Sequence, residues 1–97
     1  MVPFFLYRVL HAMYKLYILY SEKLNRYYVG YTNDSDRRIS EHNRIKGKYT
    51  DIGIPWLLVY SEDYNDKKSA MDRERFIKSQ KSRQYITELI SGKQPSR

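Results

Sequence analysis

Five side chains in this sequence have types and spacing that suit chemistry on an anion: Tyr17, Tyr28, Arg38, His42 and Glu74. Tyr17 and Tyr28 fall on two strand-like segments joined by a short polar break, so a hairpin stands their phenols near each other on one sheet face. Tyrosine beside basic groups can stack on bases or bond phosphates. Arg38 and His42 are four residues apart, which on a helix presents a guanidinium for a phosphate and an imidazole for a proton on the same side. Glu74 has Ala70 one turn before it and Ile77 three residues after, so it borders the buried face of a helix, where an inward carboxylate needs a cation. Each residue alone also has a plainer reading: hairpin packing, a surface arginine, an exposed histidine, or the ion-pair network of Asp72-Arg73-Glu74-Arg75. No paired-carboxylate metal pattern, Gly-rich nucleotide loop or Ser-His-acid signature accompanies them.

The elements that must position these groups can be read from patterning. Residues 15–21 are β-branched and aromatic, with Leu16, Ile18 and Tyr20 on one face and Tyr17 and Leu19 on the other. Residues 27–32 form the second strand, and the polar break of five connecting residues allows only an antiparallel hairpin. Gly30 weakens that strand and marks a bulge or a close approach by another group. Asn33, Asp34 and Ser35 offer caps for a helix running to Ile45, before Gly47 stops it. Residues 46–55 are expected to be a loop, 56–61 a third strand, 67–80 a helix capped by Asp66, and 82–90 a last helix starting at Ser82 and ending before Gly92. The predicted order is β-β-α-β-α-α, an α+β fold.

A chain of 97 residues, 41% hydrophobic and 30% charged, is one small domain. Its net charge of +7 is uneven: residues 67–97 hold nine basic and three acidic side chains. A local positive field favours polyanions, DNA first and RNA as the other candidate, over a membrane surface. The absence of cysteine excludes a disulfide framework and thiolate metal sites, and suits a reducing, cytoplasmic setting. The apolar run at 2–6 is too short for a signal peptide or a membrane span. Residues 1–12, His11 among them, read as a dispensable extension ahead of an alternative start at Met13, with 13–91 the folded unit and 92–97 a tail.

The ordered motifs resemble the GIY-YIG nuclease family, in particular its short stand-alone members similar to the N-terminal catalytic domain of the incision subunit of bacterial nucleotide excision repair. Lys15-Leu16-Tyr17 stands for the first triplet and Tyr28-Val29-Gly30 for the second. Gly30-Tyr31-Thr32-Asn33-Asp34, Arg37-Arg38, Glu41-His42-Asn43, Lys48-Tyr49-Thr50 and the segment from Ala70 through Glu74 to Lys78 continue the likeness. The first triplet keeps only its tyrosine, and Lys81-Ser82-Arg83 stands where fully characterised catalytic domains carry an asparagine.

The resemblance implies a small three-stranded antiparallel sheet flanked by helices and a metal-dependent hydrolysis of phosphodiesters, with structure preference over sequence recognition, in DNA repair or processing. It assigns Glu74 to a single Mg²⁺ or Mn²⁺, Arg38 to the phosphate, Tyr17 to the role of general base, Tyr28 to orienting the same site, and His42 to a proton relay or a phosphate contact. The two tyrosine roles are interchangeable at this stage. Holding a phenol with a pKa of about 10 deprotonated at pH 7 costs about 4 kcal/mol, so a tyrosine base needs help from its surroundings. Arg37, Lys46, Lys48, Lys78, Lys81, Arg83 and Lys93 are the expected nucleic-acid contacts. A non-catalytic nucleic-acid-binding domain of the same fold and a protein-interaction module are the competing readings.

Overall fold

In the computed structural model, which describes residues 13–93, the apolar stretch Tyr14–Ser21 becomes β1 and takes the centre of the sheet. The expected extension 1–12 and residues 94–97 of the expected tail lie outside the described residues. β1 pairs antiparallel with β2 (Arg26–Thr32) on one side and with β3 (Trp56–Tyr64) on the other, giving the order β2-β1-β3. Among the described residues three helices flank this sheet: α1 (Ser35–His42), α2 (Lys67–Ser79) and α3 (Arg83–Ile90). The sequence of elements is β-β-α-β-α-α, with a 3-10 turn at Tyr49–Gly53.

A central strand is covered on both faces, and the alternation along β1 therefore feeds two cores. Leu16 and Ile18 pack with Val29 against Ile77 of α2 and Tyr85 and Leu89 of α3. Tyr17 and Leu19 point the other way, to Trp56, Leu24, Ile39 of α1 and Ile54. Each fully buried Leu or Ile removes enough apolar surface from water to favour folding by about 1.5–3 kcal/mol. Ser21, also buried, donates to the Gly53 carbonyl at 2.7 Å and accepts from the Leu24 amide at 3.1 Å, so the end of β1 is tied to the 3-10 turn.

All three helices start as the sequence predicts. Asp34 caps α1 through the Arg37 amide at 3.1 Å, Asp66 caps α2 through Ser69 at 2.9 Å, and Ser82 caps α3 through Tyr85 at 3.1 Å. Three boundaries differ from expectation. The first helix stops at His42, not Ile45, because the Asn43 side chain is taken by Trp56: its Nδ2 donates to the Trp56 carbonyl at 3.0 Å and its Oδ1 accepts from the Trp56 amide at 2.6 Å. The expected loop 46–55 contains the 3-10 turn, where the Asp51 carboxylate gathers the amides of Lys46, Gly47 and Lys48 at 2.9, 2.6 and 3.0 Å. β3 runs on past Ser61 to Tyr64 because β1 supplies partners along its whole length.

The extended part of β3 carries Glu62, which clamps α2 to the sheet. Arg73 donates to it with Nε at 2.9 Å and Nη2 at 3.1 Å, while Tyr64 donates at 2.6 Å and Tyr60 to the second oxygen. Against the burial that disfavours its charge, the Arg73 guanidinium and the two phenols hold the Glu62 carboxyl below the usual carboxylate range. The helix residue after Arg73 is Glu74, so the clamp fixes how Glu74 is presented. The expected network along 72–75 is therefore split: Arg73 crosses to Glu62, Asp72 takes Lys68 at 2.8 Å, and Glu74 takes Lys78 at 3.1 Å.

Replacing Asn43 with Ala leaves the Trp56 amide without its partner at the hinge between α1 and β3. Asn43→Ala is expected to lower the unfolding free energy by about 1–3 kcal/mol, measured by urea titration. An unchanged midpoint would remove Asn43 from the role of clamp.

Candidate active site

The β1–β2 register sets Tyr17 opposite Gly30 and Leu19 opposite Tyr28. Gly30 has no side chain, and the Tyr17 ring fills the space: a Cβ at Gly30 would come within 2.6 Å of the Tyr17 hydroxyl and 2.7 Å of the ring. Pairing with β1 is continuous across Gly30, so the close approach anticipated there is the approach of Tyr17 and not a bulge. Tyr28 stacks beside Tyr17 with centroids 6.4 Å apart and planes inclined by 21°.

The last residue of α1 completes this cluster. His42 Nε2 lies 3.2 Å from the Tyr17 Oη, within hydrogen-bond reach, and its ring meets Tyr28 edge-on at 4.5 Å. Trp56 closes the group, 6.4 Å from Tyr28 and 6.5 Å from His42. Burial, reinforced by the nearby Tyr28, pushes the Tyr17 phenol well above its ordinary value, with Arg38 opposing. Burial and the positive charges of Arg38 and Lys46 push the His42 imidazole below its ordinary value. At neutral pH both groups are uncharged, and in the tautomer that carries its proton on Nδ1 the imidazole accepts from the Tyr17 hydroxyl at Nε2.

An open cleft of about 310 Å³ extends from these rings, and Tyr17, Tyr28, Gly30, Arg37, Arg38 and Glu74 share its lining. Arg38 holds Glu41 at 3.1 Å and Arg37 approaches the same carboxylate at 3.9 Å, both from the exposed side of α1. Glu74 enters from α2, so carboxylate, guanidinium and phenols converge on one space. His42 stands behind Tyr17, on a neighbouring hollow that it shares with Arg38, Arg44, Lys46 and Lys48.

The expected basic contacts divide by position. Lys46 and Lys48 line the hollow beside His42, although the Lys46 ammonium also caps α1 through the carbonyls of Glu41 and, at 3.0 Å, Arg44. Lys78 and Lys81 border a groove on the other side of Tyr28. Arg83 is committed to the hairpin turn, where it bonds the carbonyl and side chain of Asn25 at 2.8 and 2.6 Å and stacks over Tyr27 at 4.9 Å. Lys93 follows α3, exposed, with its amide bonded to the Glu88 carbonyl at 3.0 Å.

Trp56, Lys67 and Asn33 belong to the site or its wall and were not singled out by sequence reasoning. Trp56 carries one available signal, a lone tryptophan opening a strand; Asn33 is marked only as a cap candidate and within the strand-to-helix motif, and nothing local marks Lys67. Among the described residues no three His, Cys, Asp or Glu side chains gather as a metal cluster. No described helix is long and apolar enough to cross a membrane.

Comparison with known proteins agrees with this arrangement. The family model of the GIY-YIG catalytic domain matches residues 13–86. The UPF0213 protein YazA of Bacillus subtilis is 38% identical over 76 residues, which covers 74% of this chain and 77% of that protein. A UPF0213 protein of Streptococcus agalactiae is 50% identical over 58 residues, 59% of this chain and 65% of its own. The solution NMR structure of a UPF0213 protein from Bacillus halodurans superposes with a TM-score of 0.51 at 32% identity, covering 80% of this chain and 82% of that one.

The His42 geometry predicts a pH dependence with a definite sign. A folded-state imidazole pKa below the ordinary 6.5 means that the unfolded chain binds the proton more readily. The contribution of His42 to stability is then full above about pH 6.5 and is lost as pH falls through the depressed folded value. An NMR titration of His42 should give a midpoint below the ordinary value, and Arg38→Ala should raise it. A midpoint at or above the ordinary value would mean that the Tyr17–His42 bond runs in the opposite sense.

Proposed function

The chain belongs to the GIY-YIG catalytic domain family, and from that membership we propose that it is a divalent-metal-dependent endonuclease hydrolysing phosphodiester bonds in DNA, selective for structure and acting in repair or processing. The observation that carries this reading is the Tyr17–His42 hydrogen bond, 3.2 Å long, on the wall of a cleft that also holds Arg38 and Glu74.

The donor set suits a hard divalent ion. Glu74 supplies one carboxylate on the cleft wall, and its partner Lys78 is a solvent-exposed lysine whose ion pair contributes little and is readily exchanged. Mg²⁺ keeps several waters and is commonly held by one or two carboxylates together with substrate phosphate, so a single Glu74 is an adequate protein share. Mg²⁺ or Mn²⁺ at Glu74 supplies charge neutralisation at the scissile phosphate and the leaving oxygen.

The chain's own residues account for the proton. Tyr17 rests as a neutral phenol with His42 as its acceptor, so the phenol can take a proton from the attacking water while passing its own to His42 Nε2. A free phenolate, costing about 4 kcal/mol or more at pH 7, is not accumulated. This coupling favours Tyr17 over Tyr28 as the base, since only Tyr17 has the imidazole in line. Tyr28 packs against both Tyr17 and His42 and keeps the two rings in register. Arg38 faces the cleft with directed donors for the charge that builds on the phosphate, and its ion pair with Glu41 orients it. The imidazolium formed on His42 has the Glu41 carboxylate nearby to offset the charge of Arg38 and Lys46.

In a plasmid-nicking assay with Mg²⁺ or Mn²⁺, Glu74→Gln is expected to abolish cutting while the melting curve stays close to wild type. Tyr17→Phe should retain DNA binding and reduce the single-turnover rate by about 10²-fold or more, the usual contribution of a general base. Equal cutting by wild type and Glu74→Gln would refute the metal assignment. Binding without turnover by the wild type on all nicked, branched and plasmid substrates would leave the non-catalytic reading.

A further inference from the structure

A groove of about 260 Å³ lies on the far side of Tyr28 from the cleft, between β2 and the α2–α3 junction. Val29, Ile77 and Ile86 give it an apolar floor, and Tyr28, Lys78 and Lys81 stand on its rim. Tyr28 borders both spaces, so the groove and the cleft are neighbours across one aromatic ring. β2 is an outer strand of the described sheet, and one edge of its backbone has no neighbouring strand among the described residues.

Two features of the rim need an explanation beyond packing. Lys78 is placed between the two spaces, its Nζ 3.1 Å from Glu74 in the cleft and 6.0 Å from the centroid of the Tyr28 ring. Lys81 holds a left-handed backbone at φ 48°, which penalises any residue with a Cβ and which glycine adopts freely. Lys81 directly follows the C-cap of α2, where helices commonly end in this left-handed conformation and glycine is the usual residue. What Lys81 adds over glycine is a cation at the mouth of the groove.

An apolar floor, an aromatic edge and two ammonium groups on the rim are complementary to one nucleotide: a flat base with a phosphate on either side. We propose that the groove seats an unpaired base of the strand being cut, adjacent to the scissile phosphate, with Lys78 and Lys81 facing the phosphates of that nucleotide. The substrate class is then DNA with an unpaired nucleotide next to the cut, such as a flap or branch. A paired base cannot enter, because its ring is stacked and its edge is occupied. This inference rests on the reading of the cleft as the place of phosphodiester hydrolysis, and it adds the feature of the substrate that is selected.

Binding measured in EDTA separates it from catalysis. The probes are a fluorescein-labelled duplex with a short thymidine flap, the same flap with abasic nucleotides at the junction, and the blunt duplex. Wild type is expected to bind the thymidine flap about tenfold more tightly than the abasic flap, within the range that one stacked base contributes. Lys81→Gly should melt at or above the wild-type temperature, yet bind the thymidine flap more weakly with a salt slope reduced by about 0.7, the single-strand value per phosphate. Ile86→Phe, which fills the groove, should erase the preference for thymidine over abasic flaps. Equal binding of the two flaps by wild type would overturn the inference, as would a flap preference and salt slope unchanged in Lys81→Gly. If the preference is present and no substrate is cut, the groove stands and the catalytic reading fails; if cutting occurs without the preference, the reverse holds.

Discussion

The ring of Tyr17 rests on the backbone of Gly30, and the site is built outward from that contact. An aromatic side chain on the most buried strand of a small sheet would ordinarily disappear into the core. Here the missing side chain across the pair gives the ring a shelf on the neighbouring strand, and its hydroxyl reaches the edge of the cleft. The contact demands two residues at once: any larger residue at Gly30 would displace the ring, and a smaller one at position 17 would open a void in the cluster with Leu19 and Trp56. The Tyr17 phenol and the core are therefore the same object, which explains why so small a domain can hold a phenol in one place.

Burial does the chemical tuning as well as the holding. The same desolvation that raises the Tyr17 phenol lowers the His42 imidazole, so both are driven to their neutral forms. A tyrosine activated by a neighbouring cation alone would have to carry a standing negative charge in this environment. In the proposed mechanism, passing the proton to a neutral imidazole removes that requirement. The position of His42 in turn depends on α1 ending where it does, since Asn43 turns its side chain to Trp56 and so fixes the last turn of the helix over the hairpin.

The parts of this arrangement that depend on near neighbours are legible in the sequence. The hairpin, the alternation along β1, the capping of α1 by Asp34 and of α2 by Asp66, and the shared face of Arg38 and His42 all follow from neighbours within a few residues. Glu74 was marked by Ala70 and Ile77, which lie on the same helix. What could not be read depends on residues far apart: Asn43 and Trp56 end α1, Arg73 pairs with a glutamate eleven positions upstream, and Arg83 bonds a turn 58 positions away. Trp56 was assigned to a strand but not to the aromatic cluster because the packing of β3 against α1 is set by β1 between β2 and β3, a topology that patterning does not specify.

The same long-range pairings change the meaning of the charge. Counted along the sequence, the basic excess of residues 67–97 looks like a uniform field for a polyanion. In the folded chain Arg73 is spent on Glu62, Lys68 on Asp72, and Arg83 on Asn25, each of them in holding elements together. Lys67 on the cleft and Lys81 on the groove have no ion-pair partner among the described residues, and Lys78 is held only by the carboxylate of Glu74. Lys67, Lys78 and Lys81 thus stand along the cleft and the groove on either side of Tyr28. Screening over about 8 Å at physiological salt makes that local placement, more than the total of +7, the quantity that orients a strand across the site.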